Sequence, residues 1–407
     1  MSAALSPLAL LAICWGATFG GAALWLAFPD RFDLVPLLLE RQGIDPDSYA
    51  GLGLLWLAVA GLAWIAGDLA HRGFGRVPGP PTAAAPPGDS LAGATLCAAI
   101  LCLAVTLCWI ATAAMAVGPG QFARLALADP LAARAHLLSY KLFPGMRLFY
   151  AALPGPGCLA VMLLARGGLS PRARTRCRAT VVLVTLALLI LPVVMSQRLL
   201  LLQFVLSAWL AASLVRGRVV GRSGLLAGAM LFLGVWIARE AITNPSFDRG
   251  AFDIGIQKLV FYCANDLWNA LAPLGREVAP TLGMVSFRGV AVFAFLDAPL
   301  ADVLGPRLDA LETMRGGGDF ALPTAAFLDF GLAGGAALIA GWGWIFRAAF
   351  VRAGDGPGWT VLYAQLGAAL LFSSHGVYAT HQNLIATLLL VAAVLWVATP
   401  RGRAAYV

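Results

Sequence analysis

Ten residues of this sequence have types and positions that suggest chemistry rather than packing. Arg198 sits in the turn MSQR between two apolar runs. Arg239 and Glu240 close another apolar run, and Arg249 follows Asp248 shortly after. A guanidinium held at the end of an apolar helix can grip a phosphate with two parallel hydrogen bonds. The same arginine can equally anchor the helix by snorkelling to the interface. Lys258, Tyr262, Asn265 and Asn269 are spaced i, i+4, i+7 and i+11 in IGIQKLVFYCANDLWNALAPLG, which puts them on one helical face, opposite Val260, Cys263, Leu267 and Leu271. Such a face suits sugar hydroxyls, or simply water if the helix lies on a membrane surface. Asp329 is the one acid in the apolar run PTAAFLDFGLAGGAALIAGWGWIF. A carboxylate there is either a base or the partner of a buried arginine. His375 and His381 share the short polar stretch SSHGVYATHQN, with His375 a further candidate base. Their spacing is not that of helical metal ligands, and neither a metal nor another cofactor is expected.

What must position these groups is a set of membrane helices. Apolar residues make up 60% of the 407-residue chain and charged residues 12%, with mean hydropathy +0.83. A soluble domain carries about twice that share of charge, so lipid must solvate most of this surface. The net charge of +8 then reflects arginine-rich cytoplasmic loops and gives no reason to expect nucleic acid as a partner. The seven cysteines form no CxxC pair and mostly lie inside apolar runs, where cysteine acts as a small hydrophobe. The first apolar run lacks a basic leader and exceeds the length of a signal-peptide core, so it reads as a retained span.

Runs of about 20 apolar residues fall at roughly 5–28, 50–69, 91–117, 147–165, 179–195, 199–215, 223–238, 323–346, 359–374 and 383–398. Pro154 to Gly157 in the fourth run predicts a broken or kinked helix. The stretch 120–146 reads as an interfacial amphipathic helix. RGGLSPRARTRCR carries Arg166, Arg172, Arg174, Arg176 and Arg178 and marks the inside. Alternation from there puts the other arginine-bearing short loops and both termini inside. The acidic loop at 29–48, the MSQR turn and the long segment 239–322 fall outside. The expected fold is therefore an all-α polytopic membrane protein of about ten spans, N-in and C-in. It divides into a bundle of about seven spans over 1–238, an outer loop with amphipathic helices over 239–322, and about three spans over 323–407. Within the outer loop, 254–273 and 284–300 are apolar enough to dip into the membrane.

Three stretches resemble one family. SQRLLLLQFVLSAWL is similar to the arginine-led span found mid-chain in bacterial oligosaccharide repeat-unit polymerases of the O-antigen and exopolysaccharide type. FYCANDLWNALAPLG resembles the aromatic and Asn-rich helix of their outer loop. FALPTAAFLDFGLAGGAALIAGWGWIFRAAF resembles their Asp-Phe-Gly and Gly-spaced span. The resemblance covers about 195–350, and the outer loop here is short and poor in acids. It implies a multi-pass protein of the bacterial inner membrane. Such an enzyme moves a glycan from undecaprenyl diphosphate to an incoming lipid-linked repeat unit at the periplasmic face. Arg198, Arg239 and Arg249 would then hold the leaving diphosphate. Asp329 or Glu240, with His375 as a third candidate, would take the acceptor proton, and Lys258, Tyr262, Asn265 and Asn269 would bind sugar. Implied partners are the lipid-linked oligosaccharide, membrane lipids, and a chain-length regulator or flippase of the same pathway. A polysaccharide ligase would share these features. A transporter or flippase of lipid-linked sugars would instead show charge buried at mid-membrane and an internal repeat.

Overall fold

The computed structural model describes residues 2–45, 51–74, 88–195, 199–243, 249–271, 274, 279–312 and 319–399. These residues are helical almost throughout, with no strand among them. The first half runs α1 (Pro7–Ala27), α2 (Leu34–Arg41), α3 (Gly51–Phe74), α4 (Gly88–Val117), α5 (Pro119–Ala128), α6 (Pro130–Ser139), α7 (Met146–Ala152) and α8 (Pro154–Arg166). It continues through α9 (Pro171–Met195), α10 (Leu199–Val215), α11 (Arg222–Thr243), α12 (Ala251–Leu271), α13 (Arg288–Phe293), α14 (Asp297–Glu312), α15 (Leu322–Arg352), α16 (Pro357–Leu370) and α17 (Gln382–Ala398). Among the described residues, six helical stretches are long and apolar enough to cross a membrane: α1, α3, α4, α7 with α8, most of α9, and α15.

Local sequence explains the breaks. Pro154 opens α8 at its first turn, where its missing N–H costs nothing, so the expected interruption falls between α7 and α8. The 120–146 segment is two short helices, α5 and α6, rather than one. α15 is interrupted at Gly331, whose φ of 67° suits glycine.

Bonds between helix ends define one end of the bundle. Ser170 donates to Asp89 (2.6 Å), Ser90 to the Ala398 carbonyl (3.3 Å) and Tyr363 to the Leu5 carbonyl (2.5 Å). The first turns of α9, with Arg172, Arg174 and Arg176, lie at this arginine-rich end. Asp68 is buried near it and pairs with Arg72 (2.5 Å) and Arg347 (4.0 Å). α3 and α15 run side by side and pack through glycines. A Cβ on Gly67 would strike the Ala340 carbonyl, and one on Gly343 the Trp64 carbonyl. Small residues at such contacts let backbones approach where lipid removes the hydrophobic drive.

At the opposite end the helices are uneven. α16 has 14 residues and α17 has 17, both shorter than the roughly 20 needed to span hydrocarbon. The turn joining them therefore lies deep. Thr18 Oγ1 donates to Ser374 Oγ at 2.8 Å, and Thr18 is residue 12 of the 21 in α1. The turn thus sits about 14 Å short of the far end of α1, at 1.5 Å per residue. Non-helical backbone at that depth must be wrapped by protein, and it is: the Leu322 N–H donates to the Ser373 carbonyl (2.8 Å), and Ser373 and Ser374 are buried.

α12 belongs to the bundle. It packs on α1, α2 and α11, with Trp25 edge-on to Trp268 at 5.5 Å and Gly21 close against Cys263. Its polar face is not turned to water. Asn265, Asp266 and Asn269 are all buried. The picture of a helix lying on a surface, polar side out, is therefore corrected. The apolar side of α12 is needed against α1 and α2, and that forces the amide face inward.

Candidate functional site

The α16–α17 turn meets the polar face of α12. His375 Nδ1 lies 2.7 Å from Asp266 Oδ1. A carboxylate only accepts, so Nδ1 carries the proton and Nε2 is the acceptor of the neutral ring. Tyr262 stands edge-on to the same imidazole at 6.1 Å and to Trp236 at 5.0 Å. One turn on, Asn265 is fully buried, and neither amide atom has a hydrogen-bond partner among the described residues. An unpaired buried amide is costly and marks an interior built for more than packing.

Tyr378 lies between the two histidines. Its ring is parallel to that of His375 at 6.3 Å and tilted against that of His381 at 5.7 Å. His381 is the N-cap of α17, its Nδ1 accepting the Asn383 N–H at 3.2 Å. Its neutral ring therefore carries the proton on Nε2, the reverse of His375. Below it, Gln203 donates to Gln365 (3.0 Å) and Gln365 to Ser207 (3.2 Å). A void of about 10 Å³, room for roughly one water, separates Gln203 and Gln365 from His381.

Above the turn opens a cleft of about 710 Å³. Arg134 of α6, Arg147 of α7 and Arg288 of α13 line it, together with Asp297 and Asp309 of α14, Asp319, and His381 and Gln382. α13 and α14 form its outer wall, with Leu300, Leu304 and Leu308 packed on Met284 and Ala291. The turn and this wall are tightly joined. Thr380 Oγ1 donates to the Ser286 carbonyl, and a Cβ on Gly289 would strike the Thr380 carbonyl and the Gln382 nitrogen.

The residues singled out from sequence have separate fates. His375 and Tyr262 meet at the site, and Asn265 and Asn269 lie on the same buried face; Lys258 is half-buried farther back on α12. Asp329 is fully buried, and its carboxylate accepts Thr281 Oγ1 (2.5 Å), the Val285 N–H (3.0 Å) and the Ser286 N–H (2.7 Å). Those bonds shape the 281–287 loop that holds Thr380, so Asp329 stands as an anchor behind the cleft and does not line it. Arg249 is likewise occupied elsewhere. Its guanidinium holds Asp33 in two hydrogen bonds and Asp253 at 3.4 Å, on an exposed surface. The Arg249 bond holds the Asp33 carboxyl below its ordinary pKa. Arg239 and Glu240 lie in the last turns of α11, with side chains outside the described residues. Arg198 and Asp248 also fall outside them.

Asp266, Asp319, Arg134, Arg147 and Arg288 were not picked out from sequence, and His381 was noted only as the neighbour of His375. Asp266 had a signal: it is i+4 from Tyr262 and next to Asn265, so it shares the polar face. The three arginines come from three helices, and no local spacing relates them. Compared with known proteins, the chain matches no family model, no curated protein and no solved structure.

Proposed function

We propose that the chain is a polytopic enzyme of the bacterial inner membrane, with about ten spans and both termini inside. It moves a glycan from a lipid diphosphate to an incoming lipid-linked repeat unit, as a polysaccharide polymerase. The observation that carries this reading is the cleft, lined by Arg134, Arg147 and Arg288 at the bundle end opposite the arginine-rich loop. By the positive-inside rule that end faces the periplasm, where lipid-linked repeat units are joined. Three guanidiniums from separate helices can neutralise a departing diphosphate, and the charge that develops there is what such donors stabilise. The carboxylates of the same cleft can accept the proton of an incoming hydroxyl. Gln382, His381 and the buried amides beyond supply hydrogen bonds of the kind sugars need. The resemblance over 195–350 points to the same class, although Arg249 is engaged by Asp33 and does not line the cleft.

The test is polymer length in cells that depend on this chain. Arg147→Ala and Arg288→Ala should abolish long chains at unchanged protein level and leave lipid-linked single repeats to accumulate. Normal chain length in both variants would remove the cleft from the proposal. Normal chains that are no longer attached to their final acceptor would point to a ligase instead.

One observation favours a second reading. The Asp266–His375 pair lies deep in the bundle, at the turn between the short helices α16 and α17, as in transporters that bind at mid-membrane where helices stop short. Vesicles containing the purified chain separate the two: a transporter moves lipid-linked sugar between leaflets without forming a new glycosidic bond.

A further inference from the structure

We propose that Asp319 is the catalytic base of this cleft. The inference rests on the glycan-transfer reading above and names the group that the sequence left divided among Asp329, Glu240 and His375. Geometry separates the carboxylates. Asp329 is fully buried and satisfied by three donors, so it can neither reach an acceptor nor take a proton without releasing the 281–287 loop. Asp297 is paired with Arg288 at 3.5 Å on the outer wall. Asp309 lines the cleft from the exposed side of α14.

Asp319 lines the deep end, where the cleft meets the α16–α17 turn. It packs against Gly376, where an added Cβ would come within 3.1 Å of the Asp319 Cβ and 3.6 Å of Oδ2. His375, Tyr378 and His381 all lie within the field of its charge, and His381 also within that of Arg147. A carboxylate, a ring whose Nε2 carries a proton and a guanidinium therefore converge on one wall of the cleft. The aromatic turn behind them is fixed by Asp266 and Thr18 through His375 and Ser374.

The step balances without any other reactant. The acceptor hydroxyl gives its proton to the Asp319 carboxylate, and its oxygen forms the new bond to C1 of the donor sugar. The C1–oxygen bond to the diphosphate breaks, and its electron pair leaves on the diphosphate among Arg134, Arg147 and Arg288. The Asp319 proton then passes to solvent in the open cleft.

Asp319→Asn, Asp319→Glu and Asp302→Asn test this in cells lacking the wild-type chain. Two readings are taken: polymer length, and binding of undecaprenyl diphosphate to the purified proteins. Asp319→Asn should cut transfer by about 100-fold or more, the scale of general-base catalysis. Its affinity for undecaprenyl diphosphate should be unchanged, because the carboxylate acts on the acceptor. Asp319→Glu should restore part of the chain length, and Asp302→Asn, at an exposed carboxylate of α14 that does not line the cleft, should leave it intact. Wild-type chain length in Asp319→Asn overturns the proposal. Loss of undecaprenyl diphosphate binding in that variant also overturns it, since Asp319 would then be shaping the cleft. If removing the whole chain leaves polymer length unchanged, the glycan-transfer reading fails and takes this proposal with it. If removal collapses the polymer while Asp319→Asn does not, only the proposal fails.

Discussion

His375 Nδ1 and Asp266 Oδ1 lie 2.7 Å apart although 109 residues separate them in the chain. The bond joins the deep α16–α17 turn to the amide face of α12, and it sets which nitrogen of His375 carries a proton. Asp266 is mostly buried, so removing either partner strands the other.

The pair should therefore behave as a unit. His375→Ala and Asp266→Ala should each lower the unfolding midpoint in detergent, and the double variant should lose little more than either. The coupling expected for contacting polar groups is about 0.5–3 kcal/mol. Strict additivity would show that the contact does not stabilise the fold.

Asp329 and Asp319 should part company. Asp329→Ala leaves the Val285 and Ser286 N–H groups and the Thr281 hydroxyl without their acceptor. A buried donor left unsatisfied costs about 1–3 kcal/mol, so this variant should show lower protein level and midpoint. Asp319→Asn should show neither. Equal stability of the two variants would contradict the anchoring role.

Gly289→Ala should open the cleft wall. The new methyl meets the Thr380 carbonyl and the Gln382 nitrogen. Both are backbone atoms that cannot swing aside, and overpacking of this kind costs roughly 1–3 kcal/mol. Loss of chain length together with a lower midpoint is the expected result. Gly305→Ala, which meets no atom within 4 Å on the same wall, serves as the control.

The Asp33–Arg249 tie should show in the pH dependence of stability and not in transfer. The hydrogen bond from Arg249 depresses the folded-state pKa of Asp33. Its contribution is therefore present above the unfolded carboxyl pKa, about 3.9, and is lost as pH falls through the lower folded value. Wild type and Arg249→Ala should differ slightly near pH 6, and the difference should start to shrink near about pH 4 and vanish once pH has fallen through the lower folded value, with equal chain length in cells. A difference that persists at low pH would show that the tie is not what Arg249 contributes.

Much of the frame was legible before any fold was known. Apolar run length placed α1, α3, α4, α9 and α15 within a few residues at most ends, because lipid thickness fixes how long a run must be. Pro154 marked its own break, and the i, i+4, i+7 spacing in α12 identified a real polar face. Local sequence could not say where that face points. Tyr262 and Asn265 look inward because α1 and α2 claim the other side of the helix, and no spacing within α12 encodes that competition.

By itself, then, the sequence determined a helical membrane protein, the end of the bundle that carries the arginines, and the polar seam on α12. Only the tertiary structure decided which charges converge. Arg134, Arg147, Arg288 and Asp319 lie on four separate segments and come together because α16 and α17 stop short, leaving a hollow that α6, α7, α13 and α14 enclose. It also assigned Asp329 to holding a loop and Arg249 to a surface ion pair. The physical reason is range. Hydropathy and helical period act over one or two turns of chain, whereas a carboxylate takes its role from whichever donors packing brings to it, and for Asp329 those lie more than 40 residues away.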